Sequence, residues 1–576
     1  MNDFLSMASG LIPSSLLFVV LMLLLLYWGS RKPQDYPPGP KWWPFLGCAL
    51  EIARLRKKTG YLHETCTLLG KKYGPIVGLK IGTDKIVVLN TYESMKSMLM
   101  NEDCDGRPIG PVYESRTWGK RRGVLVTDGV LWSEQRRFVL RHLRDFGFGK
   151  NNMATLIGEE ARHLVNSLLH QLEMTSINRK PVKSVNNMKN NGVIYQLCGQ
   201  DLKKKSEEDN GSIIDPHDQC LKKSIKIEDM YMKAEDYVDV WRVSQASEMV
   251  IQMDEVFGVP ILNTLWRMMA GKRYNVDDRR LNHLQRILTT LFKACDMIGC
   301  LFGHFPILRY IAPVASGYKQ FMEIHQQLWS FLNEELVNHK KTFDPDVPKC
   351  LMDAYLKILQ SESHNETFSE LQLLAIWVDL FMAGSETTTK ALNFCFLYLV
   401  LYPEVQRKAQ AEIDREIGRE RFPCLSDRPR MTYVNAITLE SIRIFMGRTM
   451  NIPHRALKDT YIMGYRIPKD TMLAANFSRI LMSDEFYDDP EVFRPERFID
   501  SRGNISVPEQ YMPFSTGKHH CMGEVLAKSN IFVFTAALLQ TFTFSVAPGE
   551  EKPTTGFTDG VTASPLPFKV RITRRY

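Results

Sequence analysis

The chain has 576 residues, 44% of them hydrophobic and 24% charged, an ordinary balance for a globular protein. That is too long for an average domain but within reach of a large single-domain enzyme. A net charge of +8 is too mild and too dispersed to argue for nucleic acid; it suits an acidic protein partner or an anionic membrane face equally. Residues 11–28 carry no charge and 16–27 are unbroken apolar sequence, about the minimum for a membrane span. Nothing positive precedes the run, and Arg31 and Lys32 follow it. The positive-inside rule therefore predicts an uncleaved N-terminal anchor at 1–30, with the rest of the chain in the cytosol. Pro37-Pro38-Gly39-Pro40 cannot continue a helix and stiffens a hinge at 31–45.

Residues 76–81 and 85–89 then read as two strands around a Gly-Thr-Asp turn. Helical patterns follow at 159–172, 281–292, 319–339 and 371–402, the last far longer than an average helix. Short strand signals return at 461–467 and 541–546. The prediction is a mainly α fold with small β-sheets and no internal repeat. The stretch 175–236 differs. Runs such as Lys203-Lys204-Lys205 and Glu207-Glu208-Asp209 cannot build a core, so it reads as a polar surface insertion. Glycosylation acceptors at Asn210 and Asn365 would stay unused on the cytosolic side.

The cysteines number 11, an odd count without Cys-x-x-Cys spacing, so the sequence suggests neither a zinc site nor a disulfide framework. A reducing compartment is the simplest reading. One cysteine stands apart. Phe514-Ser515-Thr516-Gly517-Lys518-His519-His520-Cys521-Met522-Gly523 precedes a mostly apolar run at 531–539 that reads as a buried helix. Cys521 thus sits on a glycine-bounded loop at a helix start, where backbone N–H groups favour thiolate. Gly517 permits a sharp turn and Gly523 the close approach of a large group. A thiolate held this way suits the axial position of a haem iron; a small buried hydrophobe is the plainer alternative for a lone cysteine.

Upstream, Ala383-Gly384 are small enough for a helix to pass close to a flat cofactor. The Thr387 hydroxyl can bond back to the i−4 carbonyl and open the helix locally, and with Glu386 and water it makes a candidate proton relay. Glu440 and Arg443 are i,i+3 and can pair. Trp132 and Arg136 lie one helical turn apart and can reach the same edge of a bound group, with Arg455 as a third candidate for a buried carboxylate.

The pattern Phe-x-x-Gly-x-x-x-Cys-x-Gly resembles the haem-binding loop of cytochromes P450. Other stretches agree in the family's order: Pro37-Pro38-Gly39-Pro40 resembles the microsomal hinge and Trp132-Ser133-Glu134-Gln135-Arg136 the Trp-x-x-x-Arg of one helix. Ala383-Gly384-Ser385-Glu386-Thr387-Thr388 resembles the oxygen-activating stretch of the long helix. Glu440-Ser441-Ile442-Arg443 and Pro495-Glu496-Arg497-Phe498 resemble the Glu-x-x-Arg helix and the segment that locks onto it. Gly106-Arg107-Pro108 and Gly560-Val561-Thr562-Ala563-Ser564-Pro565 point to the microsomal, family-2-like clan, and an insect member is the finer expectation.

The resemblance implies a cytochrome P450 catalytic domain at 46–576, interrupted by the insertion at 175–236. It implies haem b (iron protoporphyrin IX), with Cys521 on the iron and Trp132, Arg136, Arg455, Phe514, Gly517, His519 and Gly523 around the cofactor. Thr387 and Glu386 would be catalytic, and Glu440, Arg443 and Arg497 structural. An apolar pocket would be walled by the loop 110–121, Leu380, Ala383, the segment 449–452 with Ile452, and the turn at Phe557. One position departs: the family carries Arg where His519 stands. A neutral His brings no charge, so haem retention would lean on Arg136 and Arg455 and weaken as pH rises.

The implied activity is hydroxylation or epoxidation of a lipophilic hormone, lipid or foreign compound. No flavin or nicotinamide fingerprint accompanies the haem loop. Electrons would come from NADPH through NADPH–cytochrome P450 reductase, docked on Arg137, Arg141, Arg144 and Lys518, with cytochrome b5 as a second donor. The implied location is the endoplasmic reticulum membrane. Two rivals remain: a reductase-independent haem-thiolate isomerase and a non-catalytic haem-thiolate sensor or carrier.

Overall fold

A hairpin of two nearly buried strands, β1 (Ile76–Ile81) and β2 (Asp84–Leu89), sets the first sheet, in register from Ile76↔Leu89 to Ile81↔Asp84. Its turn needs glycine: Gly82 has φ +55°, and a Cβ there would run into the His304 carbonyl oxygen. β2 pairs in parallel with β7 (Met472–Ala475), which pairs antiparallel with β4 (His454–Arg455). Isolated bridges join Arg455 to Asp105 and Gly106, so the sheet carries the loop at 105–107 to β4. Near the C-terminus β11 (Lys569–Arg574) lies between β3 (Glu248–Gln252) and β8 (Phe542–Val546). Two short hairpins complete the sheets, β5 (Thr460–Ile462) with β6 (Tyr465–Ile467) and β9 (Phe557–Thr558) with β10 (Ser564–Pro565).

This computed structural model describes residues 30–149, 151–179, 248–276, 278–361 and 365–576, with the isolated positions 17, 19, 20 and 22. The predicted anchor at 1–30, positions 17, 19, 20, 22 and 30 apart, lies outside the described residues, and so does the predicted insertion beyond residue 179. Among the described residues no helix is long and apolar enough to cross a membrane. The chain divides into two units, Met1–Ser167 with Glu248–Tyr576, and Leu168–Ser247.

Helices dominate the first unit. In chain order they are α1 (Ala49–Thr59), α2 (Leu62–Tyr73), α3 (Tyr92–Leu99), α4 (Gly129–Asp145) and α5 (Asn151–Arg179). The last runs on into the second unit, past the predicted start of the insertion at Thr175. After β3 come α6 (Gly258–Ala270), α7 (Arg279–Ala294), α8 (Tyr318–Lys340), α9 (Leu351–Gln360) and α10 (Glu370–Leu401). α11 (Pro403–Glu416), α12 (Thr432–Met446) and α13 (Glu524–Thr541) follow, with shorter turns between.

The core is built around α10. The Ser369 hydroxyl caps its start by accepting the Gln372 N–H at 3.1 Å, and Pro403 opens the next helix where α10 stops. It packs against α6, α8, α11, α12 and α13 and is buried on nearly every face, which is why its sequence lacks a polar stripe. α13 is apolar all round for the same reason. So is α6, which the 3.6-residue pattern did not predict; Pro260 fits in its first turn, where no intrahelical N–H is needed.

Candidate active site

The loop before α13 closes on itself: the Cys521 amide donates to the Phe514 carbonyl at 3.0 Å. Gly517 turns the chain at φ +76°, and a Cβ there would sit 2.2 Å from the Leu99 carbonyl oxygen, so only glycine fits. Burial raises the Cys521 thiol pKa, while the Gly523 amide and the Arg136 cation pull it back toward thiolate. The residue nonetheless keeps accessible surface. Cys521 thus combines a crowded setting with surface that remains accessible. A Cβ added at Gly523 would meet only the Cys521 sulfur, at 3.9 Å, so the backbone is open to a large group there.

A second partly exposed surface lies on α10. In a helix buried almost throughout, Leu380, Ala383, Gly384 and Thr387 keep partial exposure, and their i, i+3, i+4, i+7 spacing places them on one face. Thr387 donates its hydroxyl to the Ala383 carbonyl at 2.7 Å, as the sequence predicts, but the helix runs unbroken through it. Gly384 also meets a neighbouring helix: a Cβ there would lie 2.5 Å from Leu265 of α6. Glu386, one residue before Thr387, points elsewhere. Its carboxylate accepts from Thr289 on α7 at 3.3 Å and pairs with the buried Lys390 at 3.4 Å.

Between α4, the loop at 105–107 and β4 the structure collects donors. Trp132 and Arg136 do meet as predicted, the guanidinium lying 5.4 Å from the indole centroid. Arg136 donates to the His520 carbonyl at 2.5 Å, and the buried Trp132 Nε1 has no partner. His519 packs its ring 4.3 Å from Trp132 and donates Nε2–H to the Asp105 carbonyl at 2.7 Å. Burial first, then the Arg107 cation, push its imidazole down to about 3. It is neutral across the physiological range, the state the sequence reading took for it.

Arg455 is spent on other partners. It bonds Asp470 at 2.6 Å, Asp128 at 2.9 Å and the Arg107 carbonyl at 2.9 Å. Burial alone would raise the Asp128 carboxyl, but bonds from Arg121, the Arg107 amide and Arg455 hold it down at about 2. Besides Arg136, one further cation here is left without a carboxylate, and sequence reasoning passed over it. Arg107 is 5% exposed, bonds the Ile452 and Pro453 carbonyls at 3.0 Å each, and leaves Nε unpartnered. Its only signal was the tripeptide Gly106-Arg107-Pro108, read as a marker of kinship. Burial pushes its pKa down to about 10, the direction expected of a desolvated cation. These residues fit a haem: unpartnered buried N–H groups and two cations suit its carboxylates, and an accessible thiol at a helix start suits its iron.

The pocket walls are only partly as predicted. Asp379, beside Leu380, pairs with the buried Arg116 at 2.5 Å and accepts the Val124 and Leu125 amides at 2.6 and 2.8 Å. Gln372 adds two bonds to Gly123 at 3.1 Å, so the loop that includes 110–121 is pinned to α10. Ile452 keeps partial exposure, and its carbonyl is one of Arg107's two acceptors. Phe557 instead stacks on Tyr61 at 4.2 Å and packs near His63.

Glu440, Arg443 and Arg497 come together as predicted. Arg443 forks onto Glu440 at 2.7 and 2.9 Å, and Arg497 joins at 3.1 Å. On the outer surface Arg137, Arg141 and Arg144 form an exposed stripe on α4, while Lys518 already pairs with Glu102 at 2.7 Å.

Comparison with known proteins places the chain in a family. The profile of the family described as "Cytochrome P450" matches residues 37–215 and 217–572. The chain is 39% identical to "Probable cytochrome P450 303a1" of Drosophila melanogaster over 97% of its own length and 98% of that protein. It is 32% identical to "Farnesoate epoxidase" of Bombyx mori over 96% of its length and 97% of that protein. It is 29% identical to "Cytochrome P450 2J2" of Homo sapiens over 97% of its length and 95% of that protein.

Proposed function

This chain belongs to the cytochrome P450 family of haem-thiolate monooxygenases, and we propose that it hydroxylates or epoxidises a lipophilic, lipid-like substrate with Cys521 as the iron ligand. The observation that carries this reading is the desolvated yet accessible Cys521 thiol at the start of α13, beside donors that lack an anion. Haem, when bound, supplies the oxygen-activating chemistry; the chain's residues bind, orient and move protons. Trp132 Nε1, Arg107 and Arg136 would hold the haem carboxylates. Thr387, its hydroxyl proton committed to the Ala383 carbonyl, presents oxygen lone pairs that can hold a water on the cavity face of α10. Glu386 is held by Thr289 and the buried Lys390, one turn on, away from the face that carries Thr387. Leu380, Ala383 and Ile452 exclude bulk water from the reacting carbon.

Electrons reach the site from NADPH through a reductase drawn to the α4 stripe of Arg137, Arg141 and Arg144, with cytochrome b5 as a second donor. Residues 1–30 anchor the enzyme in the endoplasmic reticulum membrane, with 46–576 in the cytosol. The name of the silkworm relative makes isoprenoid acids the first substrates to screen.

The test is the carbon monoxide difference spectrum of the reduced enzyme beside Cys521→Ser. The thiolate-type red-shifted Soret band is expected in the wild type and absent in the variant. A histidine-type spectrum in the wild type would remove Cys521 as the ligand. NADPH consumption with reductase and an isoprenoid panel then separates a monooxygenase from an isomerase or a sensor.

A further inference from the structure

The end of α8 and the start of α9 bring together three side chains that serve neither the cavity nor the Glu440 cluster. His339 Nε2 lies 2.5 Å from Asp353 Oδ1 and 3.7 Å from Cys350 Sγ. The ligating atoms of all three lie within 4.8 Å of one another, the one such group found among the described residues. Cys350 occupies the N-cap position of α9 yet makes no capping bond, where Ser, Thr, Asp or Asn would. Asp353 Oδ2 accepts the Lys349 amide at 2.8 Å, which leaves Oδ1 turned toward the imidazole. Cys350 is 1% exposed and its sulfur is aimed at the same imidazole nitrogen. The nearby Glu335, one turn before His339, is already held by Lys272 at 3.0 Å.

We propose that His339, Cys350 and Asp353 bind one Zn2+, with water as the fourth ligand. Nitrogen, sulfur and oxygen donors are the set zinc takes in tetrahedral sites. Ordinary Zn–S and Zn–N lengths give a tetrahedral sulfur–nitrogen edge of about 3.6 Å, and the observed separation is 3.7 Å. The imidazole–carboxylate contact is a hydrogen bond instead; to admit the ion, Asp353 Oδ1 moves out by roughly 0.9 Å to a nitrogen–oxygen edge of about 3.4 Å. Proton balance is simple. The thiol proton leaves to water as the Zn–S bond forms, and the imidazole N–H shifts from Nε2 to Nδ1, freeing the Nε2 lone pair. One thiolate and one carboxylate cancel the 2+ charge, so the occupied site is neutral, as its burial requires. Without a cation, burial keeps the Cys350 thiol protonated, its pKa pushed up to about 12. Cys-x-x-Cys spacing is absent because the ligands straddle the connection at 341–349; a bound ion would staple that connection between the two helices.

The test uses the full-length, haem-loaded enzyme, equilibrated with zinc chloride and passed into metal-free buffer, with zinc and iron counted by mass spectrometry. About one zinc per haem iron is expected, falling roughly tenfold in Cys350→Ser and in His339→Gln. The zinc K-edge, which haem iron does not overlap, should show one sulfur at about 2.3 Å. Serine is the better N-cap, so Cys350→Ser should fold, and its carbon monoxide spectrum should be unchanged. If that variant fails to fold, His339→Gln and the wild-type edge decide. Zinc below about a tenth per haem, equal zinc in the variants, or an edge without sulfur would overturn the proposal.

Discussion

Glu440 and Arg107 are both nearly inaccessible, at 0% and 5% exposure, yet their surroundings close in opposite ways. Around Glu440 the chain satisfies itself. Arg443 spends its remaining N–H groups on the Leu481 and Pro490 carbonyls at 2.6 and 2.7 Å. Arg497 spends its own on Asp488, Asp489 and Val492, and the Arg494 amide completes Glu440 at 3.0 Å. Around Arg107 the ledger stays open: Arg107 and Arg136 find only carbonyls, and Trp132 Nε1 and Arg107 Nε find nothing. A closed buried cluster holds a fold together. An open one, with surplus cations and idle donors, marks where an anion from outside the chain belongs.

The largest effect should come from breaking the closed cluster. Glu440→Gln leaves two guanidiniums without a carboxylate, one of them fully buried, and should cost about 3–5 kcal/mol of stability. Unfolding of the apoprotein in urea measures it directly. Loss of haem affinity with intact apoprotein stability would instead make Glu440 part of the cofactor site and dissolve the contrast. Arg107→Met should show the opposite split. Apoprotein stability falls by only about 1–2 kcal/mol, from the two carbonyls left behind, while haem dissociation speeds up about tenfold to a hundredfold. Haem transfer to an apoglobin reads that rate. Equal losses in both assays would mean that Arg107 is merely structural.

These two clusters were not equally legible in the sequence. The Glu440–Arg443 pair is local, i,i+3 on one helix, so spacing alone proposes it; Arg497 entered only through the resemblance. The long helix was visible because thirty-odd residues without a turn signal leave little choice (Glu370–Leu401 against a predicted 371–402). Arg107 has no local pattern: a lone Arg on a loop acquires meaning only when β4 brings Ile452 and Pro453 to it. Arg455 failed in the reverse direction. Its cation was visible, but Asp128 and Asp470, which occupy it, are distant or weak signals in sequence. Phe557 likewise turned to Tyr61, a partner from the far end of the chain. Helices whose burial is all-round, such as α6, escape periodicity because they have no polar face to contrast with.

Asp128 draws the sharpest line between the two kinds of cluster, because with Asp470 it removes Arg455 from the open set. Its carboxyl is held at about 2, below the ordinary 3.8. A depressed carboxyl contributes stability that is fully present above the unfolded value and is lost as pH falls through the folded one. Asp128→Asn should therefore cost about 2 kcal/mol at neutral pH. The gap to wild type should stay constant from pH 7 to about 4 and narrow below that as the wild-type carboxylate protonates. Haem retention should hold or improve, since Arg455 gains free donors next to the same site. A gap that already closes near pH 6 would point to a titrating group other than Asp128. A haem dissociation rate that rises with the stability loss would mean that Asp128 orients Arg455 onto the cofactor, and Arg455 would then rejoin Arg107 and Arg136 among its ligands.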